Sequence, residues 1–384
     1  MLTLTTSLAA LAAPAVAAPL ADADWTIKKL SFSAVSIGVY FKDASNGWSS
    51  FTDGSSGISL TKTTDGGSTW NTVNNQTSDL MIMGVDGTAS PLSVATTGML
   101  GTEVSNDGNN FVRSRGAPFI SQSIRAYDDG RVVLATDSGV YVSSDAGKSY
   151  TAKAIPASIL KTPARYAAAP SAKVIYVTAG EWPSQSNKTE AELTLKLSSE
   201  ASLRKRTFAN GKSQLRLELG NPSPRADPSG YKAQILKSVD GGASWVSQLF
   251  DAGNFYFNGI DCIDEDHCVA VAEGFGQDGS AAPGARVYVT SDGGSTWGLT
   301  HHDTTDGSSL MAVRMRSATS HVAGGRLATG ISLHSADGGK TYTAKGASIK
   351  GQMITDFSFI TDTHAFATSV NQLQICSLLE YGTA

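Results

Sequence analysis

Residues 63–70 read Thr63-Thr-Asp65-Gly-Gly67-Ser-Thr69-Trp70, and four later segments repeat this phrase with small changes. A β-rich run precedes each copy, and an aromatic residue ends it. Glycine supplies the positive φ angles of a tight turn, while Asp, Ser and Thr side chains bond to nearby backbone N–H groups. Each copy therefore predicts a hairpin turn. The other full copies are 143–150, 238–245, 290–297 and 335–342, and a shortened copy lies at 105–111.

The repeated phrase resembles the Asp-box, or BNR repeat, of the Asp-box β-propeller superfamily, and the resemblance covers nearly all of the chain after its N-terminal segment. Relatives include sialidases, xyloglucanases, sortilin and the photosystem II assembly-factor-like propellers. The resemblance implies that the box aspartates are structural residues on the periphery, and that ligands bind on the opposite face. These aspartates are Asp65, Asp107, Asp145, Asp240, Asp292 and Asp337.

The spacing of the boxes predicts how many blades the ring has. Successive box aspartates lie 38 to 52 residues apart, except for 95 residues between Asp145 and Asp240. Residues 174–178 and 233–238 read as the second and third strands of one blade, so we place an insertion at 181–230 within the fourth blade. Its leucines alternate with polar residues near both ends, which predicts a two-stranded extension. The insertion is either a partner-binding arm or a tolerated surface loop.

A seventh blade follows the last box, although no box of its own is present. Residues 363–369 and 372–376 resemble second and third strands, and residues 24–30 match fourth strands such as the one that begins at Tyr342. We therefore expect the N-terminal strand to complete the last blade, which shields strand edges that an open array would expose. The predicted fold is all-β: a single seven-bladed β-propeller domain over residues 19–384.

Composition narrows the range of partners. The chain has 384 residues and a formal charge of −4, and it contains no extended basic run, so nucleic-acid binding is not expected. Residues 1–18 are small and apolar and contain Ala15-Val-Ala17, which predicts a signal peptide and a secreted protein. Later stretches are too short to span a membrane. Because ring closure removes the need for a second chain, we expect a monomer.

Two of the three cysteines, Cys262 and Cys268, flank a tight connection between two predicted strands. Cross-strand neighbours meet disulfide geometry, and an exported protein permits the bond. The alternative is a metal site that also uses His267, but no partner cluster completes four ligands. We expect a disulfide, no metal and no cofactor. Asn75 and Asn187 fit glycosylation acceptors if the host cell is eukaryotic.

Aligning the repeats places one residue of each blade at the exit of the second strand, near the central channel. This ring is acidic with one arginine, and it is either a site for a polar ligand or cation, or a set of solvated loop residues. If it is catalytic, Glu181 and Glu273 are the better pair and Asp137 is a third candidate, since glycoside cleavage needs two carboxyl groups at a controlled separation. The ring consists of Asp53, Thr97, Asp137, Glu181, Glu273, Arg326 and Asn371.

Arg314 and Arg316 lie on one side of a predicted first strand. They either bind an anion together or form ordinary salt bridges.

The resemblance also separates the possible functions. Sialidases bind their substrate carboxylate with three arginines, the first in an Arg-Ile-Pro-type motif of the opening blade, whereas the first arginine here is Arg113. Xyloglucanase-like enzymes use a cleft between two propellers, and this chain has one. Assembly-factor-like relatives are single seven-bladed propellers that bind proteins without chemistry. We therefore predict a secreted, non-enzymatic propeller that binds a protein or glycan partner opposite the boxes. The alternative is a single-propeller glycoside hydrolase that uses ring carboxylates.

Overall fold

A computed structural model describes residues 23–30, 38–50, 60–74, 82–98, 101–181, 194–197, 201–207, 213–218, 230–373 and 375–382. These residues form seven antiparallel four-stranded sheets, which are arranged as the blades of a β-propeller. The innermost strand of each blade contacts the innermost strands of the blades on either side, so the ring is continuous. The predicted all-β, seven-bladed fold is confirmed.

The first three blades follow one another along the chain, each with its first strand innermost. Blade 1 consists of β2 (Val39–Phe41), β3 (Gly47–Ser49), β4 (Leu60–Thr63) and β5 (Asn71–Asn74). Blade 2 consists of β6 (Ile82–Thr88), β7 (Ser93–Gly98), β8 (Gly101–Ser105) and β9 (Val112–Arg113). Blade 3 consists of β10 (Ser123–Ala126), β11 (Val132–Thr136), β12 (Gly139–Ser143) and β13 (Thr151–Ala154).

The remaining blades repeat this plan, with an additional sheet in blade 4 and an N-terminal strand in blade 7. Blade 4 consists of β14 (Ala164–Ala168), β15 (Ile175–Glu181), β19 (Lys232–Ser238) and β20 (Val246–Ala252). Blade 5 consists of β21 (Tyr256–Cys262), β22 (Cys268–Gly274), β23 (Gly284–Thr290) and β24 (Gly298–Asp303). Blade 6 consists of β25 (Ser309–Met315), β26 (His321–Arg326), β27 (Ser332–Ser335) and β28 (Thr343–Lys345). Blade 7 consists of β29 (Gln352–Phe359), β30 (Ala365–Asn371), β31 (Cys376–Tyr381) and β1 (Trp25–Leu30).

The connection from β15 to β19 contains a separate three-stranded antiparallel sheet: β16 (Thr194–Leu197), β17 (Ala201–Thr207) and β18 (Ser213–Glu218). The sequence predicted two strands here, and the middle strand was missed. Charged residues fill the centre of β17, so it lacks the apolar alternation of its neighbours. It forms because it pairs on both sides, with Leu203 opposite both Leu195 and Leu217.

Each interface between blades holds one cluster of buried apolar residues, and the aromatic that ends a repeated turn packs into the cluster facing the preceding blade. Blade 7 has no such turn. Trp25 takes the equivalent place, since β1 pairs with β31 with Trp25 opposite Tyr381, and the indole joins the cluster between blades 6 and 7. The predicted closure by the N-terminal strand is therefore confirmed.

The repeated turns use their polar side chains internally. In the turn at 290–297, the Thr290 hydroxyl donates to Asp292 Oδ1 (2.8 Å), and the Thr296 N–H (2.9 Å) and hydroxyl (2.6 Å) also donate to this carboxylate. These hydrogen bonds, the one from the Thr296 hydroxyl first, lower the pKa of Asp292 to about 2. Gly293 and Gly294 adopt φ angles of 70° and 78°, which favour glycine. Equivalent bonds hold the other turn aspartates: Asp65, Asp107, Asp145, Asp240 and Asp337.

Cys262 and Cys268 are directly opposite each other on β21 and β22 and form the predicted disulfide. The metal site considered as the alternative is excluded, because the two sulfurs are bonded to each other and His267 Nδ1 lies 2.9 Å from Asp264.

Within the described part of the chain, the helical segments are two 3₁₀ turns, Gly276–Asp278 and Ala347–Ile349. Neither is long or apolar enough to cross a membrane.

Candidate functional site

The inner strands enclose a central cavity of about 410 Å³. In an antiparallel blade, the start of the first strand and the end of the second lie on one face, while the third strand ends on the other. Arg165 and Tyr256 lie at the starts of β14 and β21, and Glu273 and Arg326 lie at the ends of β22 and β26. These four cavity residues are therefore near the face opposite the repeated turns.

Ion pairs lie further along the inner strands, toward the face of the repeated turns. Arg125 bonds to Asp261 (2.7 Å) and Asp86 (3.3 Å), and Arg314 bonds to Asp356 (2.8 Å). The three carboxylates also accept backbone N–H bonds from the next blade: from Ala126 to Asp86 (3.0 Å), from Met315 to Asp261 (2.8 Å) and from Val39 to Asp356 (3.2 Å). These acidic residues thus join neighbouring inner strands and neutralise two of the channel arginines.

Arg316 does not share a site with Arg314. Its guanidinium pairs with Asp362 and lies over the Phe359 ring at 4.3 Å. Of the two interpretations of this arginine pair, the structure supports ordinary salt bridges, because each arginine has its own carboxylate.

Arg165 differs from the arginines deeper in the channel. Its guanidinium lies 5.1 Å from the ring centre of Tyr256 and 5.8 Å from that of Tyr166. Among the described residues, its buried Nε has no hydrogen-bond partner, and no carboxylate forms a salt bridge with the guanidinium. Burial opposes its charge, but Tyr166, Tyr256 and Glu273 outweigh this and raise its pKa. Arg165 is therefore a cation in the cavity wall with an unused donor.

Arg165 packs on a buried pair of stacked tyrosine rings. Tyr256 stacks on Tyr231 with ring centres 5.9 Å apart, and its hydroxyl donates to Glu273 Oε1. Glu273 is only 3% exposed. Burial, followed by the Glu273 charge, raises the pKa of Tyr256 well above its usual value, so Tyr256 keeps its proton and remains the donor. The hydrogen bond between Tyr256 and Glu273 therefore fixes the position of the tyrosine ring on which Arg165 packs.

Arg326 is the second arginine at this end of the cavity. Its Nε and Nη2 both donate to the Gly307 carbonyl oxygen, at 3.1 and 2.9 Å. This leaves further guanidinium donors, because arginine carries five.

Of the proposed ring residues, Glu273 and Arg326 line the cavity. Glu181 instead lies 3.8 Å from Lys232, the Thr97 hydroxyl bonds to Thr102 (3.2 Å), and Asn371 Oδ1 accepts N–H bonds from its own loop. Asp137 lies in the tight connection between β11 and β12, and Asp53 lies outside the described residues. The other described residues at the exits of the second strands do not line the cavity, because these strands lie one position out from the channel. Asn75, Asn187 and residues 1–18 also lie outside the described residues.

Sequence reasoning missed the side chains that build the cavity, above all Arg125, Arg165 and Tyr256. The usable signal was their position on inner strands, where alternate residues reach the channel, as Tyr256, Asn258 and Ile260 do on β21.

The fold and this cavity define a class: a single seven-bladed β-propeller with an arginine-bearing central channel. No protein-family model matches the chain, and no curated protein matches it. Among solved structures, "YCF48 bound to D1 peptide" is 16% identical with a TM-score of 0.53, over 94% of this chain and 97% of that one. YCF48 from Cyanidioschyzon merolae is 15% identical (TM-score 0.55; 94% and 98% covered). The WD40 propeller domain of Doa1 is 10% identical (TM-score 0.52; 93% and 97% covered). At these identities, the similarities show the fold.

Proposed function

We propose that this chain is a secreted, non-enzymatic Asp-box propeller that binds a segment of a partner protein in the cavity opposite the repeated turns. The observation that carries the proposal is Arg165, a half-buried arginine in the cavity wall whose Nε makes no hydrogen bond to the described residues. A propeller of the same fold is described as bound to a peptide, which supports a peptide as the occupant.

The wall around Arg165 and Arg326 indicates the chemistry of that segment. Arginine binds a carboxylate through two parallel N–H bonds. Met83, Met311 and Met353 also line the cavity, and methionine adapts to apolar side chains of different shapes. The segment therefore carries an acidic side chain or a terminal carboxylate next to apolar residues.

The first test is a selection from a random peptide library with the purified protein, followed by affinity measurements on the selected peptides. Arg165→Gln removes the charge and is expected to weaken binding at least tenfold, in line with the loss of a charge-assisted hydrogen bond. Arg113→Gln is the matched control, because Arg113 is exposed on the outer strand β9. Selected peptides without carboxylates, or equal binding by Arg165→Gln, would contradict the proposal.

A glycan ligand or glycoside hydrolysis is the second candidate. Tyr166, Tyr256 and Phe275 offer aromatic surface in the cavity, and Glu273 offers a carboxylate there. Incubation with plant, algal and animal glycans, followed by mass spectrometry of released sugars, tests hydrolysis. Release that disappears in Glu273→Gln would replace the binding proposal with an enzymatic one.

Secretion rests on the small apolar segment at residues 1–18. N-terminal sequencing of protein recovered from the medium is expected to start after Ala17 or Ala18. An intact Met1 on all recovered protein would contradict export by cleavage.

A further inference from the structure

One buried side chain anchors the N-terminal strand. Trp25 is 1% exposed and packs on Phe357 and Tyr381, with ring centres 5.7 and 5.1 Å away. Its indole N–H donates to the Ser332 hydroxyl oxygen of blade 6 at 2.9 Å. The residues that follow, 26–28, are exposed, so among residues 25–28 Trp25 is the buried side chain.

The Ser332 hydroxyl is also within hydrogen-bond distance of His334. Its Nε2 lies 3.0 Å from the Ser332 hydroxyl, and its ring packs on Tyr381 at 4.9 Å. Because the Ser332 oxygen accepts a hydrogen bond from Trp25, its own hydroxyl group can donate a hydrogen bond to His334 when Nε2 is unprotonated. A neutral His334 thus completes a relay of hydrogen bonds from the indole through the serine to the imidazole.

The surroundings disfavour an imidazolium ion at this position. Burial lowers the pKa of His334 to about 3, with Lys345, Arg316 and His321 adding to the effect and Asp24 opposing it. The Asp24 carboxylate is already engaged, since its Oδ1 accepts the backbone N–H groups of Trp25 (2.8 Å) and Gly346 (2.5 Å).

We propose that Trp25, Ser332 and His334 form an acid-sensitive latch that releases β1 from blade 7 when His334 takes up a proton. Protonation turns Nε2 from an acceptor into a donor, so the Ser332 hydroxyl can no longer donate to it, and it places a positive charge in the interface between blades 6 and 7 close to Lys345 and Arg316. Release of β1 admits water, which hydrates the imidazolium. It also unpairs the edge of β31, and an unpaired edge is a template for another strand.

The sign of the pH effect follows from linkage. The pKa of His334 is about 3 in the closed state and has the usual value of 6.5 in the open state, so the neutral histidine favours closure. This preference is complete above pH 6.5 and is lost as the pH falls from 6.5 toward about 3. At pH 5, the ratio of open to closed molecules is expected to be about 30-fold higher than at pH 7.5.

Hydrogen exchange on the whole protein at pH 7.5, 6 and 5, corrected for intrinsic rates, tests the latch. Amides of β1 and β31 are expected to show the rise of about 30-fold in opening at pH 5, while amides of blade 5 keep their protection. His334→Gln, which retains an acceptor but does not titrate, is expected to abolish the rise.

His321→Gln is the matched control. His321 is buried, and burial lowers its pKa to about 4, but it bonds to Tyr342 and not to β1, so this variant is expected to keep the wild-type response. Equal loss of protection in β1 and blade 5, or a full response in His334→Gln, would overturn the proposal. If His334→Gln fails to fold, His334→Asn takes its place, and the comparison of β1 with blade 5 in the wild type remains decisive.

Discussion

At the scale of single residues, the cavity depends on polar groups that are buried in pairs. The Tyr256 hydroxyl donates a hydrogen bond to Glu273, and the Tyr256 ring is the surface on which Arg165 packs. A carboxylate buried to this degree is costly unless hydrogen bonds compensate it. Tyr256 therefore has two roles: its hydroxyl stabilises the buried Glu273, and its ring positions Arg165.

Replacing Tyr256 by Phe is expected to lower the free energy of unfolding by about 1–3 kcal/mol, because Glu273 then loses a donor while it stays buried. Urea unfolding at pH 7 measures this. Tyr40→Phe is the matched control, since the Tyr40 hydroxyl is buried and no described residue forms a hydrogen bond with it. Its removal is expected to be neutral or slightly stabilising, and equal costs for the two variants would contradict the role assigned to the Tyr256 hydroxyl.

At the scale of elements, the turns made the blades predictable, because a Gly-Gly pair flanked by Asp and hydroxyl side chains constrains the backbone locally. The middle strand of the insertion, β17, was not predictable in this way. It forms because it pairs with β16 and β18, whereas its own sequence has no strand pattern. The cavity was missed for a related reason. Arg165 and Tyr256 come together only when separate blades are placed around one axis, which no local motif records.

The insertion is expected to be dispensable for the ring. Glu181 and Lys232 are paired neighbours on β15 and β19, so deleting residues 184–228 leaves a connection of hairpin length. Thermal unfolding of the deletion variant is expected to remain one cooperative transition, with a midpoint within a few degrees of the wild type. Loss of cooperative unfolding would show that the additional sheet belongs to the core.

At the scale of the whole molecule, the aromatic side chain that packs between blades 6 and 7 comes from the other end of the chain. Trp25 packs into the cluster between these blades, as Trp297 packs into the cluster between blades 4 and 5. The ring therefore depends on a contact between residues that are separated by almost the entire sequence.

Trp25→Ala is expected to lower the free energy of unfolding by about 3–5 kcal/mol, the usual cost of truncating a buried aromatic residue. Ile27→Ala, on the same strand but 40% exposed, is expected to cost less than about 1 kcal/mol. Chemical denaturation of the two variants side by side provides the measurement. A small effect of Trp25→Ala would mean that the ring holds without its closing strand.

Closure by β1 also determines when the molecule can finish folding during synthesis. Trp25 leaves the ribosome early, and its partner Tyr381 is made 356 residues later (381 − 25). At ordinary translation rates this is a delay of roughly 20 to 70 s. Throughout that interval blade 7 is incomplete, so β1 has no strand to pair with and the ring cannot close. The last strand to be synthesised, β31, therefore sets the earliest moment at which the first strand, β1, can take its place in the fold.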